Sequence, residues 1–138
     1  MPRYVIEALE KGLDKHLGLS LGSARVLIVG LAYKKDVSDI RESPSLKLIE
    51  LLEDRGTSVD FHDPHVPEVP RTREHAALAG RKSVGLDAEI FAGYDAVVIA
   101  TDHSTLDYGL LSERSRLIVD TRNAIASRGL PVANVVKA

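Results

Sequence analysis

The apolar positions of this chain switch between helical and strand spacing, and the switches outline its elements. Val5, Leu9, Leu13 and Leu17 fall four apart, one face of a helix, with Pro2 before them and Gly18 after. This spacing predicts a helix over residues 2–17. Residues 19–24 read as a linker. Arg25–Leu31 is apolar at every position after the first, which predicts a strand buried on both faces. Ser43-Pro44 supplies a hydroxyl N-cap and a proline for the first helical turn. The helix it opens carries Leu46, Leu48, Ile49 and Leu52 on its buried side, runs to Arg55 and stops at Gly56.

Ser58–His62 predicts a second strand, ended by Asp63-Pro64 and Pro67. Residues 70–80 read as a short helix or an irregular excursion, and Lys82–Leu86 as a third strand. Asp87 caps a helical piece reaching Ala92. Asp95–Thr101 is a strand, Leu106–Glu113 a helix and Arg116–Thr121 the last clear strand. The tail 130–138 is apolar and fits either strand or coil. Strands alternating with helices predict an α/β fold, a Rossmann-like doubly wound parallel sheet. The expectation is a single domain with an extra N-terminal helix. In such sheets a ligand lies at the carboxyl ends of the strands. Those ends are here Gly30–Asp39, His62–Val66, Thr101–Thr105 and Asp120–Asn123.

Composition narrows the chemistry. The 138 residues are 44% hydrophobic and 28% charged, with a net charge of -2, so nothing supports a nucleic-acid or polybasic membrane role. The chain has no cysteine, which excludes a disulfide scaffold, a thiolate zinc site and a cysteine nucleophile within it. No apolar run approaches the roughly 20 residues of a membrane span. No N-terminal stretch reads as a signal peptide, and the expected location is cytoplasmic.

The loop after the first strand, GLAYKKDVSDIRES, begins as a dinucleotide turn and then departs from one. The second and third fingerprint glycines are missing, and Lys34, Lys35 and Arg41 appear instead. Lysine suits phosphate as a mobile charge and arginine as a planar fork. An anion held by side chains and by the helix end at Ser43 needs no bare glycines. Solvated charges neutralised by Asp36, Asp39 and Glu42 are the other reading of the same residues. Arg122, in VDTRN after the last clear strand, is expected at the same sheet edge as Lys34, with Asp120 orienting its loop. Thr101-Asp102-His103-Ser104 reads as turn and N-cap chemistry, since neighbours on one loop rarely converge as a catalytic set. His62-Asp63-Pro64-His65 reads as a turn, because H-x-x-H without a further ligand pair is a weak metal signal.

The ordered motifs GLAYKKDVSDIRESP, HDP at 62–64 and VDTRN resemble the C-terminal domain of the UDP-glucose/GDP-mannose dehydrogenase family, over about residues 2–136. ATDHSTLDY together with VDTRN looks most like the bacterial branch that oxidises UDP-N-acetyl-hexosamines at C6, with UDP-N-acetylglucosamine the expected substrate. The resemblance implies an enzyme of three parts: an NAD-binding domain, a central helical dimer domain and a UDP-sugar-binding domain. The C6 alcohol becomes a carboxylate by two hydride transfers through a cysteine-bound thiohemiacetal. Residues 1–24 would be the linker helix from a missing central domain, and residues 25–138 the UDP-sugar-binding domain. By resemblance Tyr33 contacts the uridine, Lys34 and Arg122 the UDP-sugar, and Arg41 reaches the NAD. No G-x-G-x-x-G and no cysteine is present, so the chain is expected to be inactive alone and to assign no catalytic residue and no metal. Its expected partners are the UDP-sugar and the other domains, in a homo-oligomer when full length. The alternative is a stand-alone nucleotide-binding or regulatory module without dehydrogenase activity. For such a module, an unpacked apolar face on helix 2–17 would suit a partner.

Overall fold

The computed structural model describes residues 2–32, 36, 40, 43–71 and 75–138. Its strands are β1 (Arg25–Val29), β2 (Ser58–His62), β3 (Ala96–Ile99), β4 (Ile118–Asp120) and β5 (Val135–Lys137). They form one five-stranded sheet in the order β2-β1-β3-β4-β5, and every pairing is parallel. The helices are α1 (Pro2–Leu17), α2 (Pro44–Asp54), α3 (Ala88–Ala92) and α4 (Tyr108–Arg114).

The central strands β1, after Arg25, and β3 are apolar throughout because both faces are covered, and alternate residues feed two separate cores. Val26 and Ile28 point to one face, where Leu9 and Leu13 of α1 and Leu48, Ile49 and Leu52 of α2 gather. Leu27 and Val29 point to the other, against Phe91 of α3 and Leu111 of α4. Each fully buried leucine or isoleucine contributes about 1.5–3 kcal/mol of transfer free energy. The architecture is therefore the Rossmann-like α/β fold that the spacing predicts.

The apolar stripe of α1 packs within the chain. Leu9 and Leu13 are 0% exposed, and the helix meets α2, β4 and β5. A Cβ on Gly12 would lie 3.1 Å from Leu117 Cδ2 and 3.3 Å from Val136 Cγ2. The missing side chain lets the helix lie close on the sheet. Among the described residues of this helix, the stripe of Val5, Leu9 and Leu13 is buried within the chain, while Tyr4 is exposed.

Several elements differ from the sequence expectation. Residues 82–86 are not a strand of the sheet. Lys82 makes only an isolated antiparallel bridge with Glu68, while Val84 N–H bonds Phe61 C=O at 2.9 Å. The segment covers the outer edge of β2, an edge otherwise open to pairing. The place at the far edge goes instead to β5, in the tail, through the parallel register Ile118↔Val135 and Val119↔Val136. β1 ends at Val29, two residues early, because Gly30 turns the backbone to a φ of 96°. α4 starts at Tyr108 because the Asp107 side chain accepts from Leu110 N–H and caps it there.

Leu13→Ala should lower stability by about 2–5 kcal/mol, the cost of a core cavity, in urea unfolding of this chain. An effect below about 1 kcal/mol would mean that α1 is not part of the cooperative core.

Candidate functional site

Parallel register brings the carboxyl ends of the strands level: Val29 pairs with His62 and with Ile99, and Ile99 with Asp120. The residues that follow these positions form one polar rim. Strand order reverses between β1 and β3, where such sheets open a crevice.

The turn after β1 crosses this point under tight constraint. A Cβ on Gly30 would stand 2.4 Å from Thr101 Cβ and 2.6 Å from Thr101 N, closer than any side chain permits. The single fingerprint glycine is therefore required by the neighbouring strand end. Every backbone polar group of Gly30-Leu31-Ala32 has a protein partner. Gly30 N–H donates to His62 C=O at 2.8 Å, and Gly30 C=O accepts from Ser45 Oγ at 2.9 Å. Leu31 C=O accepts from Ser43 Oγ at 2.6 Å, and Ala32 C=O from Thr101 Oγ1 at 2.8 Å. The remaining donors, Leu31 N–H and Ala32 N–H, both point at Asp63 Oδ2, at 2.7 and 2.9 Å.

Asp63 thus sits where a glycine-rich turn would hold an anionic ligand. Its side chain is 0% exposed. Oδ1 accepts from His65 N–H at 2.7 Å, and Oδ2 also receives His103 Nε2 at 2.8 Å. Burial alone would push this carboxyl up, but the N–H groups of Ala32, His103, Leu31 and His65 together hold it below its ordinary value.

His103 links Asp63 to the next loop. Its Nδ1 accepts from Asp36 N–H at 2.7 Å, which puts the ring proton on Nε2, where it is donated to Asp63. Tyr108 Oη donates to His103 C=O at 2.7 Å and steadies the backbone behind it. Asp36 in turn accepts from Ser104 N–H at 2.8 Å and from Ser104 Oγ at 2.6 Å. These bonds, the Ser104 hydroxyl first, lower the Asp36 carboxyl below its ordinary value. Asp36 is held at a φ of 61°, a region that few non-glycine residues enter, although aspartate does so more readily than most.

On the other side of β3, Asp120 is 2% exposed and shapes the loop that carries Arg122. Its Oδ1 accepts from the N–H groups of Arg122 and Ala124, at 3.0 and 3.1 Å, and Oδ2 from Ile125 N–H at 2.9 Å. Arg122 Nε donates to Ala100 C=O at 3.0 Å, laying the side chain across the end of β3. Among the described residues neither terminal guanidinium nitrogen has a partner. Arg122 borders a cleft whose walls include Pro44 and Ser45 at the start of α2, with Leu48, Ala100 and Thr121. Arg122 also borders an open depression beside Asn123, Lys137 and Ala138.

The sequence-predicted residues fare unevenly. Arg122 stands at the carboxyl end of β4, and Asp120 orients its loop. Tyr33, Lys34 and Arg41 lie outside the described residues, as do Lys35, Asp39 and Glu42. The loop bearing Lys34 leaves from Ala32, which is bonded to Thr101, the residue after the carbonyl that holds Arg122. Sequence reasoning missed the joint role of Asp63 and His103, reading HDPH and TDHS as separate turns. Both lie at strand carboxyl ends, and that shared placement was the available signal. Donor atoms of Asp36, His65 and His103 lie within 4.8 Å of one another, a spacing that can suit a metal ion. Both ring nitrogens of His103 are already engaged, while the His65 ring meets it edge to face with centroids 4.7 Å apart and its Nε2 is buried without a hydrogen-bond partner among the described residues.

Residues 27–127 match the family described as the UDP-glucose/GDP-mannose dehydrogenase family, UDP binding domain. The chain is 31% identical over 130 residues to the UDP-N-acetyl-D-mannosamine dehydrogenase of Pyrococcus horikoshii, covering 91% of this chain and 28% of that protein. It is also 31% identical, over 143 residues, to the UDP-glucose 6-dehydrogenase AglM of Haloferax volcanii, covering 98% of this chain and 30% of that protein. The solved structure of the Pyrococcus horikoshii UDP-D-ManNAc dehydrogenase superimposes with a TM-score of 0.74 at 27% identity, over 99% of this chain and 30% of that one. The chain therefore spans less than a third of the length of the curated relatives it matches.

Asp63→Asn turns one acceptor oxygen into a donor facing N–H groups, and should cost about 2–4 kcal/mol at neutral pH. Because the folded carboxyl lies below its ordinary value of 3.8, its stabilisation is present above that pH and lost as pH falls through the folded value. Denaturant unfolding of wild type and Asp63→Asn should therefore converge in stability on acidification below about pH 4. A constant gap would show that the carboxylate charge is not what holds the turn.

Proposed function

We propose that this chain, which belongs to the UDP-glucose/GDP-mannose dehydrogenase family as its UDP binding domain, holds a UDP-sugar by its diphosphate across the carboxyl ends of β1 and β4. Lys34 and Arg122 contact the diphosphate, and Tyr33 lies against the uridine. The observation that carries this reading is Arg122. Its Nε is fixed on Ala100 C=O, and the residue lines a cleft bordered by Pro44 and Ser45 at the N-terminus of α2. A guanidinium held in one orientation beside a helix N-terminus favours a dianionic diphosphate, and charge-assisted bonds of this kind contribute about 1.5–3 kcal/mol each.

The work of such a domain is positioning. Fixing the diphosphate sets the distance of the sugar C6 from groups supplied elsewhere, which can lower a barrier by several kcal/mol. In this reading the complete enzyme oxidises that C6 alcohol to a carboxylate with NAD. The NAD site and the reactive thiol lie in the part of the enzyme that the chain does not span, and residues 1–24 connect to it. The β1 turn does not fit a dinucleotide, since the N–H groups of Gly30, Leu31 and Ala32 are already spent on His62 and Asp63. No step at NAD is assigned to this turn. Arg41 is proposed to reach the NAD from its loop, and the chain alone is proposed to be inactive. The occupied turn also counts against a stand-alone NAD-binding module. UDP-N-acetylglucosamine is the proposed sugar nucleotide, while the relatives carry the names of N-acetyl-D-mannosamine and glucose enzymes.

Calorimetric titration of this chain with UDP should show weak binding that NAD does not compete away. Lys34→Ala and Arg122→Ala should each weaken it by about 1.5–3 kcal/mol. Unchanged affinity in both variants overturns the assignment. With the complete enzyme, NADH formation should be fastest on UDP-N-acetylglucosamine. Faster turnover of UDP-N-acetylmannosamine or UDP-glucose would reassign the sugar and leave the diphosphate site standing.

A further inference from the structure

We infer that Asp63, His103, Asp36 and Ser104 form a tether that positions the cationic loop for the diphosphate. The inference rests on the proposed UDP site and adds to it residues that touch no ligand. Asp63 pins the entrance of the loop through Leu31 N–H and Ala32 N–H. His103, buried at 0% exposure, carries that fixed point across to Asp36 N–H. Ser104 closes the tether with two bonds to the Asp36 carboxylate. Ala32 and Asp36, the residues on either side of positions 33–35 in the chain, are both bonded to the same rim of the sheet.

Three features argue for positioning over simple packing. The tether is polar along its whole length, although an apolar filling would stabilise a buried site as well. It holds Asp36 at a φ of 61°, a costly backbone state that persists only when surrounding bonds over-determine it. It also reads the tautomer of His103: only a ring protonated on Nε2 and bare at Nδ1 satisfies both Asp63 and Asp36. Fixing the loop in advance removes ordering entropy that binding would otherwise cost.

The test uses His103→Gln and His103→Asn in this chain, with Ser104→Ala as an exposed variant that does not endanger the fold. Glutamine keeps a donor within reach of Asp63 and loses the acceptor at the Nδ1 position. Asparagine places an oxygen near that position and restores it. In His103→Gln the Asp36 amide should exchange with solvent at least about tenfold faster while the Ile28 and Val98 amides do not change. UDP Kd should rise about tenfold, equivalent to ~1.4 kcal/mol. His103→Asn should recover part of both effects, and Ser104→Ala should show the same directions at smaller size. Rescue by asparagine is the readout that a merely structural histidine would not give.

Unchanged Asp36 exchange, or unchanged UDP affinity in His103→Gln, overturns the inference. If His103→Gln does not fold, Ser104→Ala decides by the same two readouts. Should Lys34→Ala and Arg122→Ala weaken UDP while the tether variants do not, only the tether falls. Should the wild-type chain take up no UDP, the proposed function falls and the tether's role in binding falls with it.

Discussion

One buried carboxylate organises the end of this sheet. Asp63 Oδ2 receives the N–H groups of Leu31 and Ala32, the two donors that a dinucleotide turn would offer to a phosphate. A buried anion is tolerated only when it is fully hydrogen-bonded, and four donors meet this one. The turn thereby becomes a closed internal joint. Its glycine remains because Thr101 leaves no room for a side chain.

The closure shifts the chemistry of the site from backbone to side chains. With the turn's N–H groups committed, positive potential has to come from cations and from the α2 N-terminus. Arg122 is held by two protein contacts of different kinds. Asp120 shapes its loop through three backbone N–H groups, and Ala100 C=O fixes its Nε. The Nε of the guanidinium is thus fixed by the protein itself. In the proposed function, the diphosphate meets charges on two loops that a common rim keeps in register.

Local signals recovered most elements of the fold. Residues 2–17 formed a helix because leucines four apart gave it one apolar face, and the sheet had a place for that face. Ser43-Pro44 started α2 as its cap chemistry requires, and the same serine also ties the helix to Leu31 C=O. Errors fell where an edge decided the outcome. Residues 82–86 and 135–137 are both short, and Gly85 weakens the first as a strand where Val135 and Val136 favour the second. Residues 135–137 found an open edge at β4 in parallel register, whereas residues 82–86 lie outside β2 and make a single bridge. Strand membership at an edge depends on which neighbour has unpaired groups, and a sequence does not display that.

The sequence by itself determined the fold class and the strand ends that form the polar rim, because periodicity, capping and residue type are local properties. Arg122 was legible for that reason: it follows a strand directly. Only the tertiary structure decided that Asp63, 32 and 31 residues from Leu31 and Ala32, would fill their anion site. Only the tertiary structure brought His103 to Asp63 across 40 residues and to Asp36 across 67. Such pairings arise when parallel strands stack their carboxyl ends side by side. Residues far apart in the chain then share one rim, and the spacing along the chain carries no trace of it.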